Sequence, residues 1–89
     1  MYDRVKNARR RIVGVRQVLR AIEQGEPIAV VIAQDAAADI TAPVAERART
    51  RGIPVYTVDS MQRLGRAAGI DVAASVVAVP VVDVERSEG

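Results

Sequence analysis

The 89-residue sequence has no cysteine and no histidine. The first absence excludes disulfides and cysteine-based zinc sites. The second removes the commonest general base and the commonest metal ligand. Phe and Trp are also missing, which leaves Tyr2 and Tyr56 as the aromatic side chains. The core must therefore be built from Val, Ile, Leu and Ala, and there is no aromatic platform on which to stack single-stranded bases. No apolar run approaches the ~20 residues that span a membrane. Met1–Arg4 lacks the apolar segment of a signal peptide. A soluble, cytoplasmic protein with no membrane partner is expected. The chain also lacks a glycine-rich phosphate loop, a Walker lysine and a carboxylate pair at useful spacing. It is expected not to be an enzyme, and to need no cofactor or metal.

What is present is apolar and basic. Hydrophobic residues make up 49% of the chain, too many for a disordered polypeptide. The length allows one domain with a small stability margin. No linker, repeat or low-complexity segment divides it. One domain is expected over residues 1–84, with 85–89 as a frayed tail. The net charge of +2 understates the basic character. Arg4, Lys6, Arg9, Arg10, Arg11, Arg16 and Arg20 all precede residue 21, opposed only by Asp3. Such asymmetry suits a polyanion-binding face, and equally a solvated basic helix.

Helical and strand periods alternate along the chain. Val5, Ala8 and Ile12 lie at near-helical spacing in residues 2–10, and Arg11-Ile12-Val13 reads as a short strand. After Gly14, the residues Val15, Val18, Leu19 and Ile22 form the stripe of an amphipathic helix that ends at Gly25. Ile28–Ala33 is a continuous apolar run, as expected of a strand buried on both faces. Asp35–Ile40 reads as a loop or first turn. Thr41 and Pro43 then fit a helix start, and Arg51-Gly52 its end. Ile53–Val58 predicts a second long strand. Asp59 and Gln62 predict a capping box for a helix over Ser60–Ala68. Val76–Val84 predicts a last strand, with Pro80 arguing for an edge position late in it. The expected fold is α/β: a three-layer α/β/α sandwich around a small, mixed, four-stranded sheet.

The helix that starts at Gly14 carries the chemistry. Burying its apolar stripe leaves Arg16, Gln17, Arg20 and Gln24 outside. Arg16 and Arg20 are four apart and repel by a few tenths of a kcal/mol. Both lie in the early turns, where the macrodipole disfavours cations. An anion would relieve both penalties and meet the free amides of Gly14–Gln17. Arg can also bond guanine O6 and N7 bidentately, and Gln can both donate to and accept from a base edge. An ordinary A-form helix hides those edges, so the RNA would need a groove opened by a kink or non-canonical pairs. A plain basic solvent face remains the alternative at this point.

Gly14-Val15-Arg16-Gln17-Val18-Leu19-Arg20, followed by Ile28–Asp35 and Leu64–Ala74, resembles the archaeal large-subunit ribosomal protein seven-Ae (L7Ae) family and its thirty-e relatives. The resemblance covers residues 3–82 with three motifs in order, and is nearest to short bacterial members. It implies the α/β/α sandwich and binding to kink-turn RNA, in rRNA or a riboswitch-like element, by a monomer. In archaeal members the first motif reads Gly-x-Asn-Glu-x-x-Lys. Arg16 stands at the Asn position, Gln17 at the Glu position and Arg20 at the Lys position. These three would contact the guanines of tandem sheared G·A pairs and neighbouring phosphates, with Gly14 and Val15 forming the helix start. Arg16 here replaces a small polar residue, and Gln17 lacks the acceptor-only carboxylate.

The resemblance also places Ile70-Asp71-Val72-Ala73-Ala74 at the family's second RNA loop. There Val72 and Ala73 would pack on the nucleotide flipped out of the kink, unless the loop merely enters the last strand. Arg63 and Arg66 would reach flanking phosphates or remain solvated helix residues. Asp35 resembles a strand-end carboxylate of phosphoacceptor domains, but capping the next helix is the simpler role. A protein–protein interaction module of the same fold, without RNA specificity, is the alternative function.

Overall fold

The structure, a computed structural model, describes residues 1–85. The elements in chain order are α1 (Tyr2–Lys6), β1 (Ile12–Val13), α2 (Val15–Glu23), β2 (Ile28–Ala33), α3 (Ala38–Thr50), β3 (Val55–Val58), α4 (Met61–Ala67), β4 (Val76–Pro80) and α5 (Val81–Glu85). The strands pair in the order β1-β4-β2-β3. β2 and β3 run parallel, whereas β4 is antiparallel to both of its neighbours. This is the expected mixed sheet with helices on both faces.

The apolar run of β2 explains the layering. Successive side chains of a strand point to opposite faces. Ala29, Val31 and Ala33 therefore join Val77 and Val79 of β4 on one face, under Val5, Leu64, Ala68 and Val84 from α1, α4 and α5. Ile28, Val30 and Ile32 join Val76 and Ala78 on the other, under Val18, Ala21, Ile22, Val44, Ala45 and Ala48 from α2 and α3. A strand buried on both faces has no polar side to show, which is why β2 reads as an unbroken apolar stretch.

Five expectations are corrected. The last segment is not one strand over 76–84. β4 stops at Pro80 and the chain turns at once into α5, with the Val81 amide donating to the Pro27 carbonyl at 2.9 Å. Pro80 has no amide to give the ladder, and its fixed φ suits a helix entrance. β4 is also interior, between β1 and β2, and tolerates Pro80 because it is the strand's last pair, opposite Ile28. Glu85, expected in a tail, closes α5, and the rest of that tail, 86–89, lies outside the described residues.

The other two corrections concern helix starts. α3 begins at Ala38, so Pro43 lies inside it rather than at its start. Its missing amide would have served the Asp39 carbonyl one turn back, on the exposed side where water can replace it. The cap of α4 is Ser60, not Asp59. The Arg63 amide donates to Ser60 Oγ at 3.1 Å, and Asp59 is engaged instead by the Tyr2 hydroxyl.

Candidate functional site

One end of the sheet gathers the candidate residues. β1 pairs antiparallel with β4, so its far end meets the beginning of β4, and the Gly14 amide donates to the Val76 carbonyl at 3.1 Å. The Ala33 amide donates to the Ser75 carbonyl at 3.0 Å, and the Gln34 amide to the Val58 carbonyl at 2.7 Å. The start of α2, the end of β2, the start of α4 and the Ile70–Ala74 loop thus share this end. Sequence separations of about 60 residues vanish because antiparallel and parallel pairing bring the relevant strand ends together.

The start of α2 is chemically bare. Gly14 is its N-cap at φ 102°, ψ 149°, with no side-chain cap and no acid in the first turn. The first intrahelical bond runs from the Val18 amide to the Gly14 carbonyl at 3.0 Å. The amides of Val15, Arg16 and Gln17 therefore lack intrahelical partners. Glycine is favoured at position 14 because its φ disfavours L side chains. Arg16, Gln17 and Arg20 are exposed, while Val15 packs against the core beneath.

Several of the chain's acids are occupied elsewhere, although Asp35 and Asp71 lie at this sheet end. Asp83 faces Arg9 and Glu26 faces Arg10. Glu23, farther along α2, takes both Arg47 and Arg51, with Arg51 at 2.9 Å. The Arg47 hydrogen bond, first among the causes, holds the Glu23 carboxyl below the usual range. Arg16, Arg20 and Arg66 have no ion pair to a described residue. The positive charge left unneutralised by the described residues therefore includes Arg16 at the start of α2 and Arg20 in its last turn.

The second segment is a loop clamped onto α4. The Ile70 amide donates to the Gly65 carbonyl and the Ala74 amide to the Met61 carbonyl, both at 3.0 Å. Gly65 permits this seat, since a Cβ on it would lie 2.0 Å from the Val72 carbonyl oxygen. Clamping raises Asp71, Val72 and Ala73 into solvent, with Val72 69% exposed. An exposed valine on a pinned loop offers an apolar contact at fixed height. A cleft of about 540 Å³ opens beside it, between the loop and Asp35, Met61, Gln62 and Arg66.

The candidate residues do not all end in one place. Gly14–Gln17 and Ile70–Ala73 come to the same sheet end, whereas Arg20, expected in the early turns of its helix, falls in the last turn of α2, which runs back toward the start of β2. Ala74, expected on the contact surface, is 4% exposed and turned into the core, with its amide already used. It anchors the loop rather than presenting a side chain. Arg63 points toward α1, its guanidinium 4.4 Å from the centre of the Tyr2 ring and 3.9 Å from Asp59. Arg66 lines the cleft. Asp35 caps no part of α3; its Oδ1 accepts from the Met61 amide at 2.8 Å, tying β2 to α4 across the sheet end. Sequence reasoning missed Gly65 as a positioning residue, although a glycine inside a short helix signals a close backbone approach.

Among the described residues no group of His, Cys, Asp and Glu side chains is placed to hold a metal, and no helix is long and apolar enough to cross a membrane. The chain shares 44% identity over 78 residues with the RNA-binding protein BH0128 of Halalkalibacterium halodurans, covering 88% of this chain and 95% of the relative. Identity with the RNA-binding protein YbxF of Geobacillus stearothermophilus is 38%, with the same coverage. These relatives are named as RNA-binding proteins and not as enzymes. Among solved structures, the 15.5 kD RNA binding protein of Giardia lamblia superimposes with a TM-score of 0.82 at 24% identity, over 89% of this chain and 69% of that one, a likeness of fold. A protein of unknown function from Bacillus halodurans C superimposes with a TM-score of 0.76 at 28% identity, over 89% and 79%. The model of the ribosomal protein L7Ae/L30e/S12e/Gadd45 family matches residues 2–88, and the chain belongs to that family.

Proposed function

We propose that this chain is a ribosomal-type RNA-binding protein that recognises kink-turn RNA and stabilises its bent form. The observation that carries the reading is the bare start of α2. Free amides, Arg16 without an ion pair to a described residue, and the Gln17 side chain stand at the same sheet end as the exposed Val72, and Arg20, also without such a pair, follows one turn along the same helix. The names of the bacterial relatives support RNA as the partner.

The chemistry follows from the geometry. Arg16 and Arg20 meet guanine edges and phosphates where the kink opens the groove, and the helix dipole adds to the field of Arg16. Gln17 reads a base edge as donor or acceptor. Asp71, Val72 and Ala73, held by Gly65 and Ala74, pack on the nucleotide that leaves the stack. Binding the bent form better than the extended one shifts the RNA population toward it without a chemical step. The protein works as a cytoplasmic monomer on rRNA or a riboswitch-like element.

Calorimetry against a kink-turn RNA, and against the same RNA with its G·A pairs disrupted, at two salt concentrations, tests this. Tight binding to the first, weak binding to the second and a fall with salt are expected. Equal affinity for both would reduce the interaction to charge and favour a protein–protein role for the fold.

A further inference from the structure

A second groove lies outside the sheet end, between α1 and α4. It measures about 300 Å³ and is lined by Tyr2, Asp3, Lys6, Arg63, Arg66 and Ala67. The two helices beside it are strapped together at both ends. At the start of α1, the Tyr2 hydroxyl bonds Asp59 and accepts from the Ser60 amide at 3.0 Å. At its end, Arg11 donates to the Lys6 carbonyl at 2.9 Å and to the Ala68 carbonyl at 3.1 Å. The groove is therefore preformed, and Arg63 is held on its wall by the Tyr2 ring.

Its charges are only partly balanced. Arg63 is offset by Asp59 at 3.9 Å. Lys6 and Arg66 have no ion pair to a described residue, and Asp3 is the remaining acid of the lining. Arg66 lines this groove and also the cleft beside the Ile70–Ala73 loop. The two depressions thus share one cation and lie side by side along α4.

We infer that the α1–α4 groove is a second seat for RNA, taking the phosphates of the strand that leaves the loop cleft, with Lys6 and Arg66 as its cations. This inference rests on the RNA-binding reading above, yet it concerns a separate surface. Phosphate contacts carry affinity and no sequence information. The groove therefore lengthens the footprint and leaves the discrimination between kinked and unkinked RNA to α2.

Two substitutions of opposite sign test it. Lys6→Gln removes a cation and Asp3→Asn removes the opposing acid. Lys6→Gln is expected to weaken binding to the kink-turn RNA and to its G·A-disrupted control by the same factor. It should also lower the slope of log affinity against log salt by about one. Asp3→Asn is expected to tighten both. Lys6 is the one lysine of the sequence, so acetylation with an amine-selective reagent, followed by peptide mapping, reads it apart from the N-terminus. Bound RNA is expected to protect it. Unchanged affinity and slope in Lys6→Gln, or equal acetylation with and without RNA, would overturn the groove assignment even if the kink-turn preference stands. A wild-type chain that binds both RNAs equally would overturn the kink-turn reading while the Lys6 and Asp3 effects still decide the groove. A chain that binds neither overturns both.

Discussion

Gly65 and Val72 meet backbone to backbone: the space a Cβ on Gly65 would need is taken by the Val72 carbonyl oxygen, 2.0 Å away. Gly65 is buried within α4. In an open helix, Gly65→Ala would gain about 1 kcal/mol of helix propensity. Here the new methyl must displace backbone, and overpacking of that kind costs about 1–3 kcal/mol. Gly65→Ala is expected to be net destabilising in urea unfolding. It should also weaken RNA binding by lifting Val72 and Ala73 from their set height. A variant more stable than wild type would show that the loop yields freely.

Arg16 and Arg20 separate function from stability. Arg16 stands in the first turn of α2 and Arg20, four residues on, in its last turn, neither with an ion pair to a described residue. Arg16→Ala and Arg20→Ala are each expected to weaken kink-turn binding by about 1–3 kcal/mol, read by gel-shift titration. In the absence of RNA, Arg16→Ala should leave the unfolding midpoint level or slightly raised, since a few tenths of a kcal/mol of repulsion disappear. Arg20→Ala also loses a favourable dipole interaction and should leave it level or slightly lowered. Lost binding together with a marked loss of stability would point to a structural role instead.

The parts of this fold that local pattern governs were legible in the sequence. β2 shows its double burial as six apolar residues, and α2 shows its buried stripe at Val15, Val18, Leu19 and Ile22. The helix start could be read because Gly14 breaks the strand pattern and the apolar stripe begins at Val15, whereas the expectation that Arg20 lies in an early turn failed because α2 is only nine residues long. What stayed hidden depends on distant partners. Pro80 could equally mark a sheet edge or a strand end, and only the pairing of β4 on both sides decides for the end. Asp35 precedes α3 in sequence but bonds α4, because parallel β2 and β3 finish side by side. Ala74 belongs to the loop motif by position, yet its burial follows from the Met61 carbonyl holding its amide.

That Asp35 bond leads to a stability prediction. The first turn of α4 has two side-chain acceptors, Asp35 Oδ1 for the Met61 amide at 2.8 Å and Ser60 Oγ for the Arg63 amide at 3.1 Å. Loss of such a cap costs about 0.5–2 kcal/mol. Asp35→Ala and Ser60→Ala are each expected to lower the urea midpoint within that range. Asp35→Asn, which keeps an acceptor oxygen, should recover much of the loss. Failure of Asp35→Asn to exceed Asp35→Ala would mean that the bond contributes little.

Tyr2 and Asp59 give the chain a pH signature. The hydrogen bond from the Tyr2 hydroxyl, the first cause, holds the Asp59 carboxyl below its ordinary value. Its contribution to stability is present above the unfolded carboxylate pKa of about 4. It is lost as pH falls through the lower folded value. The Tyr2 phenol is raised, first by desolvation and then by the Asp59 bond. That contribution is present below the unfolded value of about 10 and is lost as pH rises through the higher folded one. Tyr2→Phe removes the shared hydrogen bond. The stability gap between wild type and Tyr2→Phe is therefore expected to be widest between about pH 4 and 10 and to narrow on both sides. Urea unfolding of both proteins from pH 2.5 to about 11 measures the gap. A gap of constant size would show that the Tyr2–Asp59 hydrogen bond does not govern the two titrations.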